Sequence, residues 1–235
     1  MKHVLKKILE IGNTAWLLLF SKGVRLTHTR FINFRLAAGG NNDIHLEGCR
    51  MEKGGLYVSG SGNKIRMTQA LVSNATIRIE GDRNELYIAE KVKLRSSTVI
   101  IRGTGCKVLI QKNTTFGGIR IINSGTDNLV SIGENCLFAD QIELWASDTH
   151  PIFNEAGDII NREKPVVIGN NVWVGSRVTL LKGITIHDNS IIGMGSLVTN
   201  DVPAAVISAG SPNKTIRENV RWALHYPGSH LNDDK

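Results

Sequence analysis

Apolar positions along this chain recur at a long, regular interval. The residues Ile44, Ile65, Leu86, Val108 and Val130 each follow an Asn- or Gly-containing turn, and they are spaced by 21, 21, 22 and 22. Leu56, Ile77, Val99 and Ile121 step by 21, 22 and 22, and Cys49, Ala70, Val92, Thr114 and Cys136 by 21, 22, 22 and 22. Three independent series with one period predict a repeat architecture in which each coil holds three short strands, a triangular solenoid.

From Ile168 the pattern tightens to six residues. The units start at Ile168, Val174, Leu180, Ile186, Ile192 and Val198, and the fifth place of each (Val172, Val178, Ile184, Ser190, Ser196, Val202) is small or β-branched. Ile132-Gly-Glu-Asn-Cys136-Leu opens the same pattern earlier, with Phe138 and Leu144 at further steps of six. Three such units make an 18-residue coil, so the longer period is that coil with three or four extra turn residues.

Composition agrees and narrows the class. Twenty Asn and 24 Gly among 235 residues suit many sharp corners, since both residues tolerate the left-handed backbone conformation. No apolar run approaches the ~20 residues of a transmembrane helix. The three cysteines include no CxxC pair, so neither a disulfide framework nor a structural zinc site is indicated, and a reducing compartment fits. Cys49 and Cys136 fall on the inward position that Ala70 and Val92 fill elsewhere, and Cys106 replaces an Asn at a turn.

The net charge of +7 is unevenly placed. Residues 1 to 40 carry Lys2, Lys6, Lys7, Lys22, Arg25, Arg30 and Arg35 against Glu10 alone, which leaves a nearly neutral body. That distribution disfavours nucleic acid as a partner and points to a local anionic contact such as a membrane surface, or to a solvated basic flank. With the run Ala15 to Phe20, the first 23 residues read as an uncleaved basic amphipathic helix. It either lies on a membrane or packs on the rest of the protein.

The six-residue unit is the hexapeptide repeat, and here the sequence resembles the left-handed parallel β-helix acyltransferase superfamily, closely over 132 to 217 and more loosely over 40 to 131. The resemblance implies an all-β solenoid, a left-handed parallel β-helix with a short N-terminal helical cap and a short C-terminal helix near Pro212 to Leu224. The expected division is 1–35 for the cap, 36–211 for the β-helix with an inserted loop at 145–165, and 212–235 for the C-terminal helix and tail.

Between Leu144 and Ile168 the hexads stop. A solenoid that interrupts its own stacking gives up core there, and loops held on a rigid scaffold tend to carry function. His150 is the only histidine in this stretch. Acyl transfer to a hydroxyl needs a base of near-neutral pKa, which imidazole supplies, and Asp148 two residues earlier is a candidate to fix the ring's tautomer. A plain surface histidine before a turn-forming proline is the alternative. The resemblance favours the first reading: related acetyltransferases carry their catalytic histidine in a Thr/Gly-His-Pro stretch followed by Gly-Asn-Asn-Val-Trp-Val/Ile-Gly. This chain has Thr149-His150-Pro151 and then Gly169 to Gly175 in that pattern. His187 competes weakly from a solvent-facing hexad corner. A metal-binding β-helix of the γ-carbonic anhydrase type would need three clustered histidines, and the sequence offers none, so no metal is expected.

The resemblance further implies acetyl-CoA as donor, lying in a groove between subunits of a homotrimer. Gly175, Ser176, Gly193, Gly195, Ser196, Ala209 and Gly210 match the positions where its pantetheine arm runs close to backbone, with Lys214 and Arg217 as phosphate contacts. The backbone around Trp173 to Gly175 is a candidate oxyanion donor, or Trp173 simply walls the site. The expected activity is O-acetylation of a sugar hydroxyl on a bacterial surface polysaccharide, capsular or lipopolysaccharide, or on its lipid-linked oligosaccharide precursor. It would take place in the cytoplasm, at the inner face of the membrane if the first helix docks there. A galactoside or antibiotic acetyltransferase is the nearest alternative, and a non-catalytic β-helix scaffold is the alternative of another class.

Overall fold

In the computed structural model, the described residues are 23–224 together with the backbone of two earlier strands, Lys7–Ile8 and Trp16–Leu19. They form an all-β parallel solenoid of about eight turns. One face is an eight-rung parallel ladder from Gly23–Thr27 through Asp43–Glu47, Lys64–Thr68, Glu85–Ile88, Lys107–Ile110, Leu129–Ile132 and Val166–Ile168 to Ile184–Ile186. The other two faces run through one continuous sheet. The second face includes Leu71–Ser73, Lys93–Arg95, Thr115–Phe116, Leu137–Phe138, Trp173–Val174 and Ile191–Ile192, and the third includes Thr76–Asp82, Thr98–Thr104, Ile119–Thr126, Ile142–Trp145 and Thr179–Leu181.

Register follows the sequence period. Ile44 pairs with Ile65, Ile65 with Leu86, Leu86 with Val108 and Val108 with Val130, while Leu56, Ile77, Val99 and Ile121 are successive partners on the third face. The third series is a stack of buried corner residues. Cys49, Ala70, Val92, Thr114, Cys136, Val172, Ser190 and Val206 each accept, through the carbonyl, the N–H that opens the next strand one coil below, from Arg30 through Ile191. Inward residues of all three faces merge into one core in which each coil buries the edge of its neighbour. Phe116 and Phe138 stack there at 4.7 Å.

Two kinds of asparagine recur at the corners of the coils, and only one was anticipated. Asn113, Asn135, Asn171 and Asn189 occupy the left-handed region at the corner between the first and second faces, as their conformational tolerance predicts. Asn42, Asn63 and Asn84 point inward between the third and first faces. Each Nδ2 donates to a glycine carbonyl of the next coil, Gly60, Gly81 and Gly103, at 3.0, 2.9 and 3.0 Å. Each Oδ1 of Asn42, Asn63 and Asn84 accepts the backbone N–H of residue 63, 84 or 106 at 2.9 Å. Cys106 continues this ladder, its thiol donating to the Gly125 carbonyl at 3.3 Å. The purpose is satisfaction of buried backbone groups rather than turn conformation.

The described residues hold no helix. Residues 23–35, expected within a helical cap, form the first coil through Gly23–Thr27 and Arg30–Ala38, because Phe31, Phe34, Leu36 and Ala38 bury against the rung above. Before them, Lys7–Ile8 pairs antiparallel with Trp16–Leu19, which lies parallel to Arg30–Ala38. The remainder of 1–22 lies outside the described residues. At the other end, Lys214–Arg217 is a strand and not the start of a helix: it folds back antiparallel onto Ile207–Ala209 and covers the last open rung. Buried Asn213 fixes that reversal, with Nδ2 donating to Ser208 Oγ at 3.1 Å and Oδ1 accepting from Thr199 N–H at 3.0 Å. Residues 225–235 lie outside the described residues.

Candidate functional site

The first face advances by 36 residues between Val130 and Val166, where neighbouring rungs advance by 22 or 18. The surplus leaves the third face after Ile142–Trp145 and returns before Val166–Ile168. Its outer part is a small hairpin bridged at Phe153 and Ile159, with Ile160 N–H donating to Ile152 O at 2.9 Å and a turn closed by Asn154 and Asp158. Its base is fastened to the coil below, where Thr126 N–H donates to Glu163 Oε1 at 2.7 Å, and this bond holds the Glu163 carboxyl below its usual pKa range. Gly125 makes the approach feasible: its φ is +115°, and a Cβ there would collide with the Glu163 carboxylate.

Inside the loop, Asn161 is a hub. Its Nδ2 donates to Asp148 Oδ2 at 2.8 Å and to the His150 carbonyl at 2.9 Å, and its Oδ1 accepts from Ile152 N–H at 2.6 Å. Lys182, on the following coil, donates to Asp148 Oδ2 at 2.5 Å and to the Asn161 carbonyl at 2.7 Å. Partial burial pushes the Asp148 pKa up, but the Lys182 and Asn161 bonds outweigh it and hold the carboxyl below its ordinary value. Thr149, a β-branched residue, is held at φ +62°. The exposed His150 lies on the wall of a cleft of about 190 Å³ whose other walls include Ser124, Gly125, Ser147, Pro151, Ile159 and Glu163.

The sequence-derived candidates do not all converge. Asp148 is two residues before His150 along the chain, yet its carboxylate is engaged by Lys182 and Asn161, and no hydrogen bond joins it to the imidazole among the described residues. Trp173 lies outside the cleft. It is 40% exposed one coil on, and its ring tilts against Trp222 at 6.1 Å, while Trp222 Nε1 donates to Asn171 O at 2.7 Å. The backbone of Trp173 and Gly175 is not available as an oxyanion donor either, because their N–H groups are spent on Ser190 O and Ile192 O.

Gly175, Ser176, Gly193, Gly195, Ala209 and Gly210 gather on a different edge of the prism, the corner between the second and third faces. Coils approach closely there. A Cβ on Gly175 would stand 2.8 Å from Met194 N, and one on Gly193 2.8 Å from Ala209 Cβ, whereas Gly195 faces open space. Ser176 Oγ donates to Asp140 Oδ1, which lowers the Asp140 pKa. Ser196 departs from the expectation of a ligand contact. It is buried, with Oγ donating to Gly193 O at 2.6 Å and accepting from Gly210 N–H at 3.2 Å, so it braces the corner from within. Lys214 and Arg217 are exposed on the final strand beyond this edge. Sequence reasoning missed Asn161, Lys182 and Trp222. Lys182 stands in the third place of an ordinary hexad, and only the 36-residue jump in register brings it to Asp148.

The third face carries cations and aromatics on its outer side as it runs toward the loop. Arg35 and Arg78 flank the Tyr57 ring at 6.0 and 5.0 Å, and Arg120 covers Trp145 at 5.5 Å. Arg102 pairs with Glu80 at 2.8 Å.

Comparison with known proteins places these features among relatives. The family described as bacterial transferase hexapeptide (six repeats) matches residues 165–200. A polysialic acid O-acetyltransferase of Neisseria meningitidis is 33% identical over 201 residues, covering 74% of this chain and 92% of that protein. A polysialic acid O-acetyltransferase of Escherichia coli O1:K1 / APEC is 36% identical over 138 residues, covering 58% of this chain, and the chain spans only 44% of that relative's length. The crystal structure of the polysialic acid O-acetyltransferase OatWY superposes with a TM-score of 0.74 at 30% identity, covering 87% of this chain and 96% of the other.

Proposed function

The chain belongs to the hexapeptide-repeat polysaccharide O-acetyltransferase family, and from that premise we propose that it moves an acetyl group from acetyl-CoA to a hydroxyl of an acidic bacterial polysaccharide, with His150 as general base. The observation that carries this reading is the exposed imidazole on a cleft formed where the stacked coils are interrupted, on backbone fastened from the coils on either side. The imidazole takes the proton of the acceptor hydroxyl as its oxygen attacks the thioester carbonyl. The new C–O bond forms, the C–S bond breaks, and the imidazolium passes the proton to the departing thiolate, so the donor leaves as the thiol and no covalent enzyme intermediate is required.

The edge bearing Gly175, Gly193, Gly195 and Gly210 suits the donor, because a corner stripped of side chains lets a pantetheine arm approach the backbone. Lys214 and Arg217, exposed at its end, suit the phosphates. That edge and the His150 cleft are on different corners of one prism, so a single chain does not assemble the site. The reading therefore takes a homotrimer, in which one copy's loop meets the glycine-rich edge of the next. The left hand of the coil, as in the proteins the sequence resembles, is part of the same proposal. The arginines and aromatic rings on the third face support an acceptor with carboxylates and sugar faces, since guanidinium groups recognise carboxylates and rings stack on pyranoses. The family name of the relatives points the same way.

The test is an acetyl-transfer assay of the purified full chain with acetyl-CoA, offering acidic polysaccharide, neutral glycan and galactoside as acceptors. Transfer to the acidic polymer is expected, and His150→Ala should reduce kcat by about 10²- to 10⁴-fold with an unchanged Tm. Near-normal turnover in that variant would end the assignment of His150. Transfer to galactoside alone would reassign the acceptor.

A further inference from the structure

Lys182 touches neither the imidazole nor the cleft, yet it makes two of the bonds that shape the loop. It sits on the coil after the interruption with its side chain only 17% exposed, and its ammonium bridges two acceptors on opposite limbs of the loop. Asp148 is on the limb that leaves the stack, and Asn161 is on the limb that returns. Asn161 then closes the ring by bonding Asp148, the His150 carbonyl and the Ile152 N–H. The five residues from Asp148 to Ile152 are thus fastened at both ends and in the middle. Thr149 lies within that span in a left-handed conformation that a β-branched residue avoids unless its surroundings impose it. An exposed ion pair would be expected to contribute little. This ammonium is largely covered and also serves a neutral carbonyl, which marks it as part of a built arrangement.

We infer that Lys182 is a positioning residue for His150: it clamps the two limbs of the loop so that the backbone carrying the imidazole is held at the cleft. The kinetic part of this inference rests on the acetyl-transfer reading, but the structural part does not. Preorganisation of this kind matters because small misplacements of a reacting group cost large factors in rate.

The experiment compares Lys182→Met and Lys182→Arg with the unaltered full chain. Amide hydrogen exchange of residues 147–163 and the rate of His150 modification by diethyl pyrocarbonate need no turnover. Lys182→Met is expected to speed exchange in the loop about tenfold or more, leave the rungs at 129–132 and 184–186 protected, and change the His150 modification rate. Lys182→Arg should restore most of both. Unchanged loop exchange and unchanged modification would overturn the inference, as would loss of protection spread evenly over the solenoid. In the transfer assay, Lys182→Met should lower kcat about 10- to 100-fold with KM for acetyl-CoA unaltered, and an unaltered kcat overturns it. If the unaltered chain transfers no acetyl group, the acetyl-transfer reading fails, and the exchange and modification results still decide the role of Lys182.

Discussion

The coils before the loop and those after it build the same prism by different means. Those at 42–128 spend 21 to 22 residues per turn, and their third-face strands reach seven or eight residues in Thr76–Asp82, Thr98–Thr104 and Ile119–Thr126. The coils after the loop spend 18 residues and have strands of two or three. In the long coils the extra residues carry the ladder past the corner, leaving backbone groups inside the molecule that the buried amides of Asn42, Asn63 and Asn84 satisfy. In the short coils the same corner, between Thr179–Leu181 and Ile184–Ile186, is turned by Lys182 and Gly183 alone, with Gly183 at φ +78° and its N–H donating to Pro165 O at 2.9 Å. The lesson is that coil length decides what a corner residue must do. At the seam Asn128 turns to a new acceptor, the Ala146 carbonyl at 2.9 Å, beside the departure of the loop.

Substitutions in the two regions sharpen this contrast. The largest stability effect is expected from the shared feature, the core. Ile77→Ala among the long coils and Leu180→Ala among the short ones should each cost about 2–5 kcal/mol, read as a lower midpoint in denaturant melts. A much smaller cost on one side would mean that the two halves are not packed alike. Asn63→Ala should cost about 1–3 kcal/mol, because it strands the Gly81 carbonyl and the Asn84 N–H in the interior. Asn189→Ala, at a left-handed corner of the short coils, should cost about 1 kcal/mol, mainly for conformational reasons, since the bond its Oδ1 accepts from Asn171 Nδ2 at 2.9 Å is exposed to water. If Asn189→Gly is as destabilising as Asn189→Ala, conformation is not what that corner requires.

Acid distinguishes the seam from both regions. The Asp148 pKa is lowered on folding, so its contribution is present above the ordinary carboxylate range and is lost as pH falls through the lowered value. Exchange in residues 147–163 should therefore rise below about pH 4, before the rungs lose protection. The smallest effect is chemical. Burial lifts the Cys136 thiol to about 11, so it should react with alkylating reagents at neutral pH far more slowly than a free thiol in the unfolded chain.

Much of this was legible in the one-dimensional pattern. The partners Ile44, Ile65, Leu86, Val108 and Val130 are aligned as their spacing requires, because a stacked parallel coil converts sequence period directly into register. The break after Leu144 and the histidine within it were visible for the same reason, as a failure of that period. The caps were not. Arg30–Ala38 has apolar positions that alternate as a strand requires, at Phe34, Leu36 and Ala38, but the basic flank in front of it suggests a helix. Lys214–Arg217 is a strand only because an unpaired rung lies beside it.

The chain by itself determined the periodic core, the face each aliphatic residue presents and the place where stacking stops, since these follow from local spacing under nearest-neighbour packing. Only the tertiary structure decided which side chains meet across that stop. Lys182 reaches Asp148 from 34 residues away and Thr126 meets Glu163 across 37. It also decided that His150 and the glycine-rich edge occupy separate corners of the prism. Such meetings depend on how the inserted segment folds back onto coils above and below it, and no repeat in the sequence encodes that geometry.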